Sequence, residues 1–453
     1  MADHHAEPHV ASWYAADLGE TPPRPPLAGS TDTETVVIGG GLAGLTAAWH
    51  LAVAGRAVTL VEANCIGWGA SGRNGGFVSP GFSEKLFAIE RRVGKVHARR
   101  LHDLSRTGVR FVHERLADFG MTGMIGGYGW LKVVRHPDTS DLEERAARMA
   151  RDYDVDLALW PREAVRETLV TERYFGALHD PEPFHIDPLA YGLALAEDAQ
   201  RKGAVLHEGT LAVALERFAR GWRICTSGEN GPGILDARHV VLAGSAYQGL
   251  DAPALWPGLE RAVLPIATHV VTTTPLGERL EAAIRFPGCI GDTRRAGDYY
   301  RIVGSGDDRR LLWGGRITTG RTAPARLAAM LKADISAVYP QLGEFGIATA
   351  WSGLMGYQRT KMPIIGQIAG ARDAGLWALT AFGGHGMNTT AMGGGLIASA
   401  IAENGDQWRL FEPWHPGFIE RAIGGRNFLG RAATQFLYWS MQIRDRLEER
   451  RAT

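Results

Sequence analysis

Cysteine is scarce, and the scarcity excludes several kinds of protein. The chain has 453 residues and three cysteines, Cys65, Cys225 and Cys289. No two of them make a CxxC pair, and an odd number cannot close a disulfide framework. Zinc ribbons and thioredoxin-like redox centres are therefore excluded, and a reducing compartment is expected. Net charge is also missing: 49 Lys and Arg balance 49 Asp and Glu. A chain without charge excess has no broad attraction to nucleic acid or an anionic membrane. No apolar run reaches the ~20 residues that cross a bilayer, so no integral membrane segment is expected. No Lys or Arg precedes Arg24, and that stretch has no apolar centre of the secretion-signal kind. A cytoplasmic location is the expectation. HExxH, the EF-hand loop, GxxxxGK[ST] and GxSxG are all absent, so metalloprotease, calcium, nucleotide-hydrolase and serine-hydrolase chemistries lack their motifs. No metal site is expected, and His4, His5 and His9 in the terminal arm are read as binding nothing.

Glycine, by contrast, is abundant. The chain carries 58, well above the usual share of about 7%, so many positions need positive φ or close backbone approach. Apolar residues at 45% and charged residues at 22% are ordinary globular values, and the length is a prior of about three structural units. After an arm that ends in the stiff Thr21-Pro22-Pro23-Arg24-Pro25-Pro26, ordered structure should begin near Thr35. Thr-Val-Val-Ile there reads as a strand, followed by a helix through Ala47 and Leu51 and a strand Ala57 to Val61. Helices are expected from Glu84 to Phe119, Asp141 to Arg151 and Asp187 to Lys202. Strands dominate from Ala204 to Ala243, and alternation predicts an antiparallel sheet from Val263 to Arg316 with a turn at Asp307-Asp308. A helix from Ala325 to Val338, a strand at Trp377-Ala378-Leu379 and a helix through Leu396 to Ala400 complete the order.

Val36-Val37-Ile38 delivers Gly39-Gly40-Gly41-Leu42-Ala43-Gly44, a Gly-x-Gly-x-x-Gly turn, onto a helix. Gly39 makes the tight turn, Gly41 lets the backbone approach a pyrophosphate, and Gly44 permits close helix–strand packing. The helix N-terminus, at Leu42 and Ala43, faces the phosphate charge. An acid closes the second strand at Glu62, with Ala63 beside it, 62 − 44 = 18 residues after the last glycine. That spacing suits the ribose hydroxyls of a dinucleotide. A second glycine-rich segment, Gly67 to Gly76, suits a cofactor longer than one nucleotide. Gly69, Ala70, Ser71, Arg73, Asn74, Gly75 and Gly76 are expected along its pyrophosphate and ribityl chain. Near the other end, Phe382-Gly383-Gly384-His385-Gly386-Met387-Asn388 opens a helix. Its free N–H groups and positive dipole end suit negative charge on a reduced flavin. Together the three segments point to FAD.

With these segments the chain resembles the D-amino acid oxidase-type FAD-dependent oxidoreductases, the group that holds glycine oxidase and sarcosine oxidase. Within that group it resembles the γ-glutamylputrescine oxidase branch. The resemblance runs from Ser12-Trp13-Tyr14-Ala15-Ala16 through both glycine segments, Leu264-Pro265 to Thr274-Pro275-Leu276, and Asp298-Tyr299-Tyr300-Arg301. It continues through Arg310 to Gly315, Trp351-Ser352-Gly353 to Pro363-Ile364-Ile365-Gly366, and the Gly383 to Asn388 segment. It implies Ala212, Gly244 and Gly356 at the cofactor as well. It also implies oxidation of a carbon–nitrogen bond: a neutral amine loses hydride to FAD, water splits the imine to aldehyde and ammonia, and O2 takes the electrons as hydrogen peroxide. Alternatives in the same class are an amino-acid oxidase or a dehydrogenase that passes electrons to a carrier. A flavin-binding sensor without turnover is the reading from another class. The cysteine and histidine that tether flavin in relatives are replaced by Met355 and Gly69, so non-covalent FAD is expected. The oxygen-activating lysine of sarcosine oxidases falls near Leu312.

The implied fold is mixed α/β, with a Rossmann-like FAD domain from discontinuous segments (31–88, 185–256 and 352–405). A substrate domain with a mostly antiparallel sheet fills 89–184 and 257–351, an arm precedes at 1–30, and a helical tail follows at 406–453. For the substrate site, Tyr357, Arg359 and Lys361 are candidates to anchor a carboxylate, Arg359 through a bidentate pair. Tyr300 and Trp351 are candidate cavity walls, and His385 is a candidate base or backbone orienter. The tail from Phe428 to Leu447, with Leu429, Ala432, Phe436, Ile443 and Leu447 at helical spacing, is expected to pack on the protein's own body.

Overall fold

The computed structural model describes residues 4–16, 18, 19, 21, 24–294, 297–318, 324–368, 375–417, 435, 436, 438–445, 447 and 449. In the first of two sheets, Gly29–Ile38 lies between Gly233–Leu242 and Val58–Val61, parallel to both. Leu376–Thr380 and Val205–His207 extend the parallel set on either side, and Ile364–Gln367 and the hairpin Thr210–Phe218/Gly221–Gly228 add antiparallel pairs. Val36, Val37 and Ile38 are buried, as a central parallel strand covered on both faces requires. Helices Leu42–Val53, Pro188–Arg201 and Gly386–Glu403 share one hydrophobic core over this sheet. Helices Leu42–Val53 and Gly386–Glu403 touch backbone to backbone: a Cβ on Gly394 would stand 2.7 Å from Ala47 N.

The second sheet has nine strands. Its order is Ile347–Tyr357, Leu264–Thr273, Arg310–Thr318, Tyr299–Val303, Cys289–Asp292, Gly127–Val134, Gly176–His185 and Phe77–Val78, with Ala158–Pro161 paired to Gly176–His185. All pairs are antiparallel except Cys289–Asp292 with Gly127–Val134. One face buries Leu131, Val133, Val271, Tyr300 and Trp313 with Leu331 and Ile335 of helix Pro324–Val338. The other presents Val270, Leu312 and Trp351 to the core of the first unit, so that the candidate site lies where the two sheets face each other. The strand Ile347–Tyr357 runs through the expected domain boundary at 351/352 and belongs wholly to the second sheet.

Several elements differ from expectation for identifiable reasons. The first strand begins at Gly29, not Thr35, because Gly29 to Thr33 pair with Gly233 to Ala237 despite their polarity; tertiary pairing overrides propensity. The helices expected between Glu84 and Phe119 are Leu86–Val93 and Lys95–Asp118, and the sequence did not mark their division at Gly94, whose φ is +82°. The arm is tied down. His4 Nε2 lies 2.6 Å from Ala63 O, Glu7 N–H donates to Asn64 Oδ1 at 2.9 Å, and Tyr14 hydroxyl donates to Asn74 O at 2.8 Å. These contacts are single polar bonds to a distant loop, which composition does not reveal. In the tail, Leu429 and Ala432 lie outside the described residues, while Phe436, Ile443 and Leu447 are exposed rather than packed. Glu449 instead holds the tail by charge, 3.7 Å from Arg135 and 3.5 Å from Arg294. No helix among the described residues is long and apolar enough to cross a membrane.

Candidate cofactor and active site

The glycine turn after Ile38 is closed by backbone at its two ends, Gly39 and Gly44. Gly39 adopts φ +116°, and a Cβ there would meet the Ala243 carbonyl at 2.9 Å and Gly244 N at 3.1 Å. At Gly44 a Cβ would lie 2.0 Å from Gly39 O, so helix Leu42–Val53 can start where it does only with glycine there. Gly41 is the helix N-cap and offers no side-chain cap; a Cβ there would meet only Ser71 Oγ, at 2.9 Å. The backbone at Gly41 is thus bare beside a positive helix end, the cradle a pyrophosphate needs. Glu62, at the end of the second strand, is oriented by two N–H donors, Gly40 at 2.6 Å and Asn64 at 2.9 Å. Burial raises its carboxyl above the ordinary range, against those hydrogen bonds. The next strand of the hairpin begins beside it, Thr210 N–H donating to Glu62 O at 2.8 Å, and carries the buried Ala212.

The second glycine segment folds as a short helix, Ala70–Gly72, stitched by its own side chains. Ser71 hydroxyl accepts Leu42 N–H at 2.9 Å, joining this loop to the first. Asn74 Nδ2 donates to Ala70 O and Ser71 O, and its Oδ1 accepts Gly76 N–H at 2.7 Å. Arg73 donates to Trp68 O and stacks 4.8 Å over the Trp68 ring. Strand Ile347–Tyr357 crosses this loop with its odd-numbered residues, as strand alternation dictates. Trp351 Nε1 donates to Arg73 O at 2.8 Å, and a Cβ on Gly353 would touch the Arg73 side chain at 3.1 Å. Further along, Gly356 O accepts Gly383 N–H at 2.9 Å, while Met355 Sδ and Tyr357 hydroxyl flank Gly384, each 3.2 Å from where a Cβ would be. One strand therefore runs from the second glycine segment to the N-terminus of helix Gly386–Glu403.

At that end Gly384 is exposed, and Gly386 is the first residue of a helix whose N-cap, His385, forms no side-chain cap. Burial, with Lys132 adding to it, pushes His385 down to about 4. Burial raises Tyr357, and raises Tyr299 to about 12. The residues present fit FAD: two bare glycine backbones, an oriented acid and an uncapped helix end. Not every expected residue meets there. Asn388 donates its side chain to Gly81 O at 3.0 Å and Ser105 O at 3.4 Å, away from the turn, and Met387 is buried in the core. Tyr300 is fully buried on the far face, stacked 4.2 Å from Trp313 and hydrogen-bonded to Tyr174 and Tyr339. Arg359 and Lys361 are exposed on the turn after the strand. His269 shares the far face with Val271.

Three residues on the cavity face escaped sequence reading. Tyr299 lies against Gly75, whose Cβ would be 2.7 Å from its ring, and Gly314, whose Cβ would be 2.1 Å away. Arg301, buried, donates to Gly75 O, Ile186 O and Tyr14 hydroxyl and reaches His185 Nδ1 at 2.8 Å. Lys132 is the third. Its sequence signal was a lone lysine inside the apolar Trp130-Leu131-Lys132-Val133-Val134.

A dinucleotide cradle on a parallel sheet, facing an antiparallel sheet across a cavity, defines an FAD-dependent oxidoreductase. The chain belongs to the DAO family, described as FAD dependent oxidoreductase, which matches residues 34–400. It is 29% identical over 404 residues to the γ-glutamylputrescine oxidoreductase of Escherichia coli K12, covering 89% of this chain and 91% of that protein. With a probable oxidoreductase OrdL of Rhizobium meliloti it shares 30% over 444 residues, 96% and 97% of the two chains. Among solved structures, glycine oxidase from Geobacillus kaustophilus superposes with a TM-score of 0.68 at 20% identity, over 85% of this chain and 100% of that one. L-proline dehydrogenase from P. horikoshii gives 0.66 at 19% identity, over 85% and 96%.

Proposed function

We propose that the protein oxidises the carbon–nitrogen bond of an amine of the γ-glutamylputrescine kind to an imine, which water converts to aldehyde and ammonia. Bound FAD supplies the hydride acceptor, and O2 is the proposed final oxidant, leaving as hydrogen peroxide. The observation that carries the reading is strand Ile347–Tyr357, which sets Trp351 on the second glycine segment and Tyr357 beside Gly384, at the uncapped N-terminus of helix Gly386–Glu403. His385 is held down at about 4, and Tyr357 and Tyr299 are held protonated. A neutral amine, with its nitrogen lone pair free, needs placement in such a pocket and no strong base. In this reading Gly39, Gly41 and Gly44 with the helix end at Leu42 and Ala43 take the pyrophosphate. Glu62 takes the ribose, the segment from Gly69 to Gly76 lines the chain beyond, and Trp351 and Tyr357 wall the ring. Met355 and Gly69 leave the cofactor untethered.

The test is anaerobic stopped-flow bleaching with γ-glutamylputrescine. Free amines titrate near the lysine value of about 10.4, so the rate at low substrate should rise between about pH 6 and 8. A flat or falling profile over that range overturns the neutral-amine reading. A second reading, electron transfer to a carrier, is favoured by Leu312. It is apolar and fully buried where the resemblance places an oxygen-activating lysine. Peroxide formed in step with bleached flavin selects the oxidase.

A further inference from the structure

Lys132 stands on strand Gly127–Val134 between Leu131 and Val133, which are buried on the far face of the second sheet. Alternation turns Lys132 to the cavity face. Pairing sets it in one cross-strand row: Lys132 opposite Gly291, Gly291 opposite Tyr299, and Tyr299 opposite Gly314. At a strand spacing of about 4.8 Å, Lys132 is roughly 10 Å from Tyr299. The Trp130 indole lies over Gly291 between them, its Nε1 3.1 Å from where a Cβ would be. The Lys132 ammonium lies 5.0 Å from the Trp130 ring centre, and among the described residues no carboxylate closes an ion pair with it.

A second cation faces it. Helix Ser140–Tyr153 buries Leu142 and Met149 against the sheet, and Arg145, at the spacing that shares their face, is turned inward with its Nε unpartnered. The Arg145 charge acts on Lys132, and burial lowers the pKa of both. Among the described residues Asp180, on the neighbouring strand, is the carboxylate acting on both, and His385 feels Lys132 while itself neutral. Two cations and one carboxylate leave +2 − 1 = +1 in a desolvated place. Buried charge is stable when paired, and a ligand anion would complete this set.

We propose that Lys132 and Arg145 form an anion subsite on the face of the second sheet that carries Tyr299, and that it takes a carboxylate carried by the amine substrate. The substrate class is thereby an amino compound with its carboxylate distant from the oxidised nitrogen, a specification that rests on the amine-oxidase reading. The subsite needs the Lys132 proton. Burial and Arg145 hold that ammonium down to about 8, so carboxylate affinity falls as pH rises through that value.

The experiment titrates glutarate, a dicarboxylate without an amine, into the FAD-loaded protein by isothermal calorimetry. Glutarate should bind the unmodified protein, and Lys132→Gln should weaken it about tenfold or more, as loss of a charge-assisted bond does. Lys132→Arg should restore most of the loss, and Arg145→Gln should show an intermediate one. Lys132→Gln should also raise the half-saturating concentration of γ-glutamylputrescine more than it lowers the limiting bleaching rate. Absence of glutarate binding, or equal binding by Lys132→Gln, overturns the subsite. Should Lys132→Gln fail to hold FAD, the unmodified protein decides: a glutarate affinity that does not decline through pH ~8 overturns it equally. If neither γ-glutamylputrescine nor N-acetylputrescine bleaches the flavin while glutarate binding still depends on Lys132, the amine-oxidase reading fails and the subsite stands.

Discussion

On the first sheet, the positions that shape the cofactor site are glycines, and what constrains them is main chain: Gly39 against Ala243, Gly44 against Gly39. On the second sheet, the corresponding positions are large side chains, Trp351, Tyr299, Lys132 and Arg301, brought together from strands far apart in sequence. The first arrangement is rigid and cannot accept a side chain without moving backbone. The second is a surface of exchangeable groups on a fixed frame. A protein built this way can keep one cofactor while its substrate face varies.

The largest effect that would sharpen this contrast is a pair of variants. Gly44→Val places its Cβ about where Gly39 O now lies, 2.0 Å away, and such overpacking against backbone should cost about 3 kcal/mol or more. Little folded protein is expected. Gly41→Val meets only the movable Ser71 hydroxyl, at 2.9 Å. It should fold with a near-native melting temperature yet emerge from gel filtration without flavin. Full FAD content in Gly41→Val would place the pyrophosphate elsewhere.

A smaller effect tests the polar seam where the two units join. Burial, with Arg301 adding to it, holds His185 down at about 3, whereas an unfolded histidine titrates near 6.5. Between those values the folded state binds fewer protons, so this contribution is fully present above about pH 6.5 and is lost as pH falls toward 3. At pH ~4.5 the loss is about 2–3 kcal/mol. Thermal melts of the parent and of His185→Gln at both pH values should show a shallower acid decline in the variant; parallel declines would mean that His185 does not titrate with unfolding. The smallest effect belongs to the surface. Arg359 is exposed, so Arg359→Ala should change stability by less than about 0.5 kcal/mol and half-saturation by less than about twofold. A large rise in half-saturation by steady-state kinetics would return Arg359 to the substrate site.

The candidate cofactor cradle was legible because its parts are consecutive: Gly39 to Gly76 holds both glycine segments and the acid between them, and the structure brings them together. The parallel core was legible for a similar reason, since Val36-Val37-Ile38 has no polar face to hide. The substrate face was not. Tyr299 and Tyr300 are adjacent aromatics, and only strand register decides that Tyr299 meets the cavity while Tyr300 stacks on Trp313; a shift of one residue exchanges them. Gly291 and Gly314, which make room beside Tyr299, carry no mark in sequence that ties them to it. Arg359 looked suitable by its motif and is exposed on the turn after its strand, whereas Lys132 and Arg145 belong to a strand and a helix that no motif covers.

Tyr14 and Arg301 bear on how the molecule is made. Their hydrogen bond joins positions 287 residues apart, and the same guanidinium holds Gly75 O of the cofactor loop at 2.8 Å. During synthesis Tyr14 leaves the ribosome 287 residues ahead of Arg301, so this latch forms late. Loop-closure entropy grows slowly with length, so the wait is one of timing rather than of equilibrium. Until Arg301 is made, the loop from Ala63 to Gly76 has only the arm's own contacts on its outer side, His4 to Ala63, Glu7 to Asn64 and Tyr14 to Asn74, and Arg301 then ties the two together.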